Sequence, residues 1–279
     1  PYRLPDDLLI QHRLRRRAFG ARLTVGNGRA FRDHVRDVTR GLRDAGVVDV
    51  HEPAVNRAAA RSDIGTEGHR DGYRKLFDGT QASLDRWEQV GGGAFELHDG
   101  GVLTSSSEVH GMGMLWFPED TFGDFSLRLP FRDDAPGDGN ANSGVFVRFP
   151  QVHDHPEESR PEWVAITYGH EVQIFDSPHG DQYKTGSVYG FDLVNQGEAM
   201  VTPKGTWNDL EIRVVGQHYS IYRNGQLVNE FDNTPGSVLP ARDDAPGTDG
   251  RQHDRGYLGL QTHSASDVIS FRDIRVRPL

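Results

Sequence analysis

The sequence predicts a mainly β chain in which two packed antiparallel sheets follow a mostly helical N-terminal extension. Three observations carry this. From Tyr73 onward apolar residues alternate with polar ones in short runs parted by Gly-, Asn- and Pro-bearing turns. Before that point apolar residues recur at three- and four-residue intervals, the period of a helix. The charge also changes sign at the same boundary: residues 1–72 hold 14 Arg against 10 acids, whereas residues 73–279 hold 17 Lys plus Arg against 31 acids. Two domains are therefore expected, a helical extension over 1–72 and a β domain over 73–279.

In the extension, residues 6–23 place Leu8, Leu9, Ile10, Leu14 and Phe19 beside a face that includes Arg15, Arg16 and Arg17. Residues 28–48 carry a stripe of Phe31, Val35, Val38 and Leu42 that ends near Gly46, and residues 56–72 read as a short helical piece and a polar connector. An apolar stripe must pack on something, either the β domain or a second copy, which leaves room for a homo-oligomer built through these helices. The arginine run has no basic patch to continue it, so it reads as a solvated or intersubunit face, or a clamp on the acidic domain. Nucleic acid is not an expected partner of a β domain with this acid excess.

Candidate strands follow in order: 94–106, 124–133, 143–150, 170–176, 208–216, 218–231, 256–263 and 268–278. The clearest local element is "IYRNGQLV", where Asn224-Gly225 supplies the positive φ angles of a tight hairpin. "RDDAPGDGNANSG" and "ARDDAPGTDGRQHDRG" are long acidic loops of the kind on which sites are built.

Cysteine is absent, which excludes thiolate nucleophiles, thiolate metal sites and disulfides. No run approaches the roughly 18 apolar residues of a membrane helix, so no membrane partner is expected. The opening residues lack the basic-then-apolar order of an export signal, which favours a cytoplasmic location for the given chain.

Four groups of residues could carry chemistry. In "YGHEVQIFD" a strand would put Glu171, Gln173 and Phe175 on one face and Val172 and Ile174 on the other, so Glu171 is either a general acid or base or part of a polar outer face. In "TGSVYGF" Tyr189 stands between Gly186 and Gly190, placed to stack on a sugar or to cap a core. In "LGLQTHS" Gln261 and His263 share a face with Gly259, away from Leu258, Leu260 and Thr262; the imidazole is a candidate proton carrier, a structural histidine or a metal ligand. In "GNANSGVFVRF" Asn142 and Ser143 precede a strand that presents Phe146 and Arg148 on one face, where Arg148 could bind hydroxyls or pair with Glu171. His153 and His155 lie in a Pro-bearing loop with no third ligand, and the acidic loops lack the spacing of a calcium-binding helix-loop-helix. No Ser nucleophile elbow, phosphate loop or HExxH is present.

Five ordered segments, "KLFDGTQASLDRWEQVGGGAFELHDGGVLTSS", "LWFPEDTFGDFSLRLPFRDDAPGDGNANSGVFVRF", "HEVQIFDSPHGDQYKTGSVYG", "KGTWNDLEIRVVGQHYSIYRNGQLV" and "GYLGLQTHSASDVISFRDIRVRPL", together resemble the 3-keto-disaccharide hydrolase family. The resemblance runs from about Lys75 to Leu279 and implies a jelly-roll sandwich of the concanavalin A and laminin G type. It further implies that Glu171 and Gln173 lie on a concave sheet and that Asn142, Ser143, Arg148, Tyr189, Gln261 and His263 belong to the site. Thr262 departs from the acid or amide common in the family, though it would point away from His263.

Retaining glucanases of similar shape carry E-x-D-x-x-E, whereas this chain reads Glu171-Val172-Gln173-Ile174-Phe175-Asp176. A carboxylate nucleophile is therefore not expected. The resemblance implies instead a 3-keto-glycoside, whose carbonyl acidifies C2–H, so that one base can drive β-elimination of the aglycone from C1 and water can then add. Glu171 or His263 would be the base and the other the acid, with Arg148, Gln173 or a divalent cation steadying the enolate; the cation is the one cofactor left open. The non-catalytic alternatives are a carbohydrate-binding module and a structural subunit that organises a partner through the N-terminal helices.

Overall fold

A computed structural model describes residues 72–106, 111–237 and 247–279. The helical extension expected over 1–72 lies, but for its last residue, outside the described residues. In chain order the elements are β1 (Arg74–Phe77), α1 (Gln81–Leu84), β2 (Glu88–Gly91), β3 (Phe95–His98), β4 (Val102–Ser105), β5 (Gly113–Trp116), β6 (Phe125–Asp133) and β7 (Asn142–Phe149). They continue with α2 (Pro161–Tyr168), β8 (His170–Phe175), β9 (Asn208–Val215), β10 (His218–Arg223), β11 (Gln226–Asp232), β12 (Tyr257–Thr262), β13 (Ile269–Phe271) and β14 (Ile274–Pro278).

Alternation decides how these strands stack. Phe125, Leu127, Leu129 and Phe131 of β6 are buried while Arg128, Pro130 and Arg132 between them are partly exposed, so one face turns to a core and the other to solvent. Strand β6 is central to the larger antiparallel sheet, ordered β11-β10-β9-β6-β13-β4-β3, with β14 and β1 continuing beside it. Pro130 falls where β14 has ended its pairing with β6 and β13 has not begun, a place that asks for no backbone N–H. The smaller antiparallel sheet runs β2-β5-β12-β7-β8. Leu115, Val145, Val147, Val172, Ile174, Leu258 and Leu260 from it meet Leu127, Leu210, Ile212, Ile221 and Phe271 from the larger sheet in one core. Each such side chain contributes about 1.5–3 kcal/mol when fully buried. The expected mainly β, two-sheet antiparallel sandwich is what forms.

All eight candidate strands are present, three of them divided: residues 94–106 fold as β3 and β4. Residues 218–231 fold as β10 and β11 around Asn224 (φ 50°) and Gly225 (φ 76°), and residues 268–278 break into β13 and β14 at Asp273 (φ 45°). Strands β1, β2 and β5 and helix α2 are additions to the sequence reading. The apolar residues of α2, Trp163, Val164, Ala165 and Ile166, are consecutive, so they show no helical period. This helix covers one half of the outer face of the smaller sheet: Val164 and Ala165 pack with Val90, Met114, Trp116, Phe146 and Phe149 in a second apolar cluster. The other half is left for polar groups. Among the described residues no helix is long and apolar enough to cross a membrane.

Candidate active site

The pairing register of β7, β8 and β12 builds the uncovered face. Asn142 lies opposite Phe175, Gly144 opposite Gln173 and Phe146 opposite Glu171, while Gly259 of β12 lies opposite Phe146. Strand parity thus gathers Asn142, Gln173, Glu171 and Gln261 on one side, and Val172 and Ile174 go to the core. The Glu171 side chain lies across Gly144, where a Cβ would come within 2.3 Å of its Oε1. That close approach is why a glycine stands there. Gly259 serves the same end for Met114, whose sulfur would meet an added Cβ at 2.4 Å.

Glu171 is the electrostatic centre. Enclosure pushes its carboxyl up to about 8, aided by the charge of Asp181 and opposed by His263 and a hydrogen bond with Gln261. With its amide nitrogen turned to the carboxylate, the buried Gln173 donates to Glu171 Oε1 at 3.0 Å and to the Ser143 carbonyl at 3.1 Å. The Gln173 amide also meets that of Asn142 at 3.1 Å, and Asn142 Nδ2 lies 3.4 Å from His263 Nε2. Beyond β12, His263 Nδ1 contacts Asp267 Oδ2 at 2.7 Å. The hydrogen bond to Asp267 raises the affinity of His263 for its second proton, against partial burial. Asp267 is burdened by its own burial, yet hydrogen bonds from His263, Ser264 and the Asn142 N–H hold it below the usual carboxylate range.

The segment after β8 closes the other side. Tyr189 N–H donates to the Glu171 carbonyl at 2.9 Å, and its hydroxyl donates to Asp181 Oδ2 at 2.7 Å. Its ring lies 4.9 Å from that of Tyr183, giving a two-ring wall beside the carboxyl. Lys184 stacks on Phe175 at 4.4 Å and donates to the carbonyls of His179 and Asp181, which fixes the Asp181 backbone.

Six of the eight sequence candidates therefore come together: Glu171, Gln173, Asn142, Gln261, His263 and Tyr189. Two do not. Ser143 faces the sandwich interior, opposite Ile174, and its hydroxyl donates to the Gln261 carbonyl at 2.9 Å. Arg148 has φ 56° at a register shift of β7 against β12, which turns its fully buried guanidinium onto the carbonyls of Gly123 (2.7 Å) and His253 and toward Asp124. Its expected pairing with Glu171 or an enolate does not occur, because simple alternation fails at that shift. Thr262 does turn away from His263, donating to the Gly92 carbonyl at 2.7 Å.

His170, next to Glu171 in sequence, points the other way into Phe191, Tyr219 and Phe231, and burial pushes it down to about 3. His153 pairs with Glu88 and His155 stacks on Tyr168, so they share no ligand geometry. Among the described residues no three His, Asp or Glu side chains converge as metal ligands. Asp267, Asp181, Tyr183 and Gly144 escaped the sequence reading. Only Asp267 left a local signal, a carboxylate four residues beyond His263 in "THSASD".

Comparison with known proteins points to one family. Residues 72–277 match the profile of the 3-keto-alpha-glucoside-1,2-lyase-like domain. No curated protein matches the sequence. Two crystal structures of candidate glycosyl hydrolases from Parabacteroides distasonis ATCC 8503 share the fold. The first is 24% identical with a TM-score of 0.54, over 74% of this chain and 99% of that one. The second is 20% identical with a TM-score of 0.54, over 77% and 98%.

Proposed function

The chain belongs to the 3-keto-alpha-glucoside-1,2-lyase-like family, and from that premise we propose that it cleaves 3-keto-glycosides by elimination across C1 and C2, followed by hydration. The observation that supports this reading is the meeting of Glu171 and His263 on one uncovered sheet face, joined by amides, with Gln173 standing beside Glu171 where a retaining mechanism would need a carboxylate. Asp176, the other acid of the motif, is committed to a buried bidentate pair with Arg223 at 2.8 and 2.6 Å.

Glu171 acts as the base. A carboxyl whose affinity for a proton is raised toward neutrality accepts one from carbon more readily than an exposed carboxylate does. It takes the C2 proton, the C–H electron pair becomes the C1–C2 double bond, and the C1–O bond breaks. His263, kept protonated by Asp267, gives its Nε2 proton to the departing oxygen. Water then adds to C1 of the enone with the proton movements reversed. The amides of Asn142 and Gln261 supply donors for the carbonyl oxygen as charge develops on it. Tyr183 and Tyr189 offer a stacking wall for a ring of the substrate.

The test is incubation with 3-keto-glycosides and their unoxidised parents, following aglycone release and exchange of the C2 hydrogen with solvent. Release from the keto forms alone, with loss of C2 deuterium, is the expected result. Release without any exchange rules out elimination, and binding without release identifies a carbohydrate-binding module.

A further inference from the structure

We propose that Gln173 and Asn142 form a reversible amide relay which makes Glu171 and His263 share a single proton. The observation is a continuous line of contacts: Glu171 Oε1 to Gln173 (3.0 Å), Gln173 to Asn142 (3.1 Å), Asn142 to His263 Nε2 (3.4 Å) and His263 Nδ1 to Asp267 (2.7 Å). An amide has a donor end and an acceptor end, and each exchanges places with the other by a half-turn of the side chain. Two amides in series must therefore point the same way.

Each direction suits one placement of the proton. When Gln173 Nε2 donates to the Glu171 carboxylate, Asn142 Nδ2 donates to Gln173 Oε1, and Asn142 Oδ1 is left to accept from an imidazolium. When the protonated carboxyl donates to Gln173 Oε1, Gln173 Nε2 donates to Asn142 Oδ1, and Asn142 Nδ2 donates to a neutral imidazole whose Nδ1–H is held by Asp267. This direction gives up the Gln173 donation to the Ser143 carbonyl, so the empty site rests toward the first direction and the proton on Glu171 is what offsets that loss. With both ends protonated, or neither, one contact along the line sets donor against donor or acceptor against acceptor. The relay thus disfavours the two states in which the pair holds two protons or none. Asp181 and Tyr189 from the β8–β9 segment face Glu171, and Asp181 also acts on His263; their influence does not depend on the amides.

The proton count stays constant through elimination. The pair begins as carboxylate and imidazolium and ends as carboxylic acid and imidazole, one proton arriving from C2 as one departs to the leaving group. Both amides then turn over, and the reversed line suits the hydration step that follows. This use in turnover rests on the proposed reaction, but the coupling itself exists without substrate.

The experiment is a pH titration of the full chain without substrate, reading His263 by imidazole ¹⁵N NMR and Glu171 by carboxyl ¹³C NMR, in wild type, Asn142→Ala and Asn142→Ser. Through-space attraction survives both substitutions, whereas the relay does not. The two steps in which the pair gains its first and second proton should lie closer together by about one pH unit in both variants. Neutral His263 should carry its proton on Nδ1 in wild type. An unchanged separation in a folded variant, or a neutral His263 protonated on Nε2, overturns the relay. If neither Asn142 variant folds, Gln173→Leu gives the same reading from the other amide. Failure of the sugar assay with the narrowing intact would sink the proposed reaction and leave the relay standing.

Discussion

Glu171→Gln removes the proposed base while keeping shape and hydrogen-bonding capacity. Turnover should fall by about 10²–10⁴-fold with little change in sugar binding, read by steady-state kinetics and calorimetry. The same substitution should leave a pH signature in stability. The folded carboxyl binds its proton up to about 8 and the unfolded one only to about 4.5, so wild type holds more protons when folded across that window and loses stability as pH rises through it. Glu171→Gln should therefore melt higher than wild type at pH 9, by roughly 1–3 kcal/mol in unfolding free energy, with the gap closing near pH 4. Gly144→Ala tests the geometry: its methyl must displace the carboxyl, so activity should drop at least about tenfold while the cooperative melt remains. Strand parity made Glu171, Gln173, Gln261 and His263 legible from sequence. Arg148 was misread because a single register shift reverses the side on which a residue emerges, and no local residue pattern announced it.

At the scale of elements, the site depends on a long connection between β8 and β9 being held still. Arg223 of β10 reaches through the sandwich to Asp176 at the end of β8, and Asp176 also accepts from Thr185, so one buried ion pair ties both sheets to the segment that bears Asp181 and Tyr189. Breaking it with Arg223→Met should cost about 3–5 kcal/mol by chemical denaturation, because the remaining carboxylate is left buried and unpaired. Helix α2 has a comparable clamp in Arg251, which donates to the carbonyls of Ile166 and Gly169 at its C-terminal end. Neither tie could be read from sequence, because each joins residues far apart in the chain. The long alternating strands were readable because half-buried faces impose a period of two. The four-residue strands β1, β2 and β5 are too short to display it.

For the molecule as a whole, the acid excess of residues 73–279 sets a preference among sugars. Neutral glycosides should be favoured over uronates. Adding salt should lower KM for a uronate substrate and leave that of a neutral one nearly unchanged, measured between about 20 and 300 mM salt. Treatment with a strong chelator should leave turnover within about twofold; a large loss restored by a divalent ion would mean that substrate oxygens complete a site which the described side chains do not form alone.

The strand bearing Glu171 is the last of its sheet, and such a position normally offers a free row of N–H and C=O groups to any passing chain. Here residues 185–189 fold back along it, with Gly186 and Tyr189 donating to the carbonyls of Gln173 and Glu171 and Ser187 accepting from Gln173 N–H. The chain thereby occupies its own border. The turn of backbone that delivers Tyr189 to the pocket also denies neighbouring molecules a template for edge-to-edge aggregation, so loosening it for the sake of catalysis would expose the protein to self-association at the place where its chemistry is done.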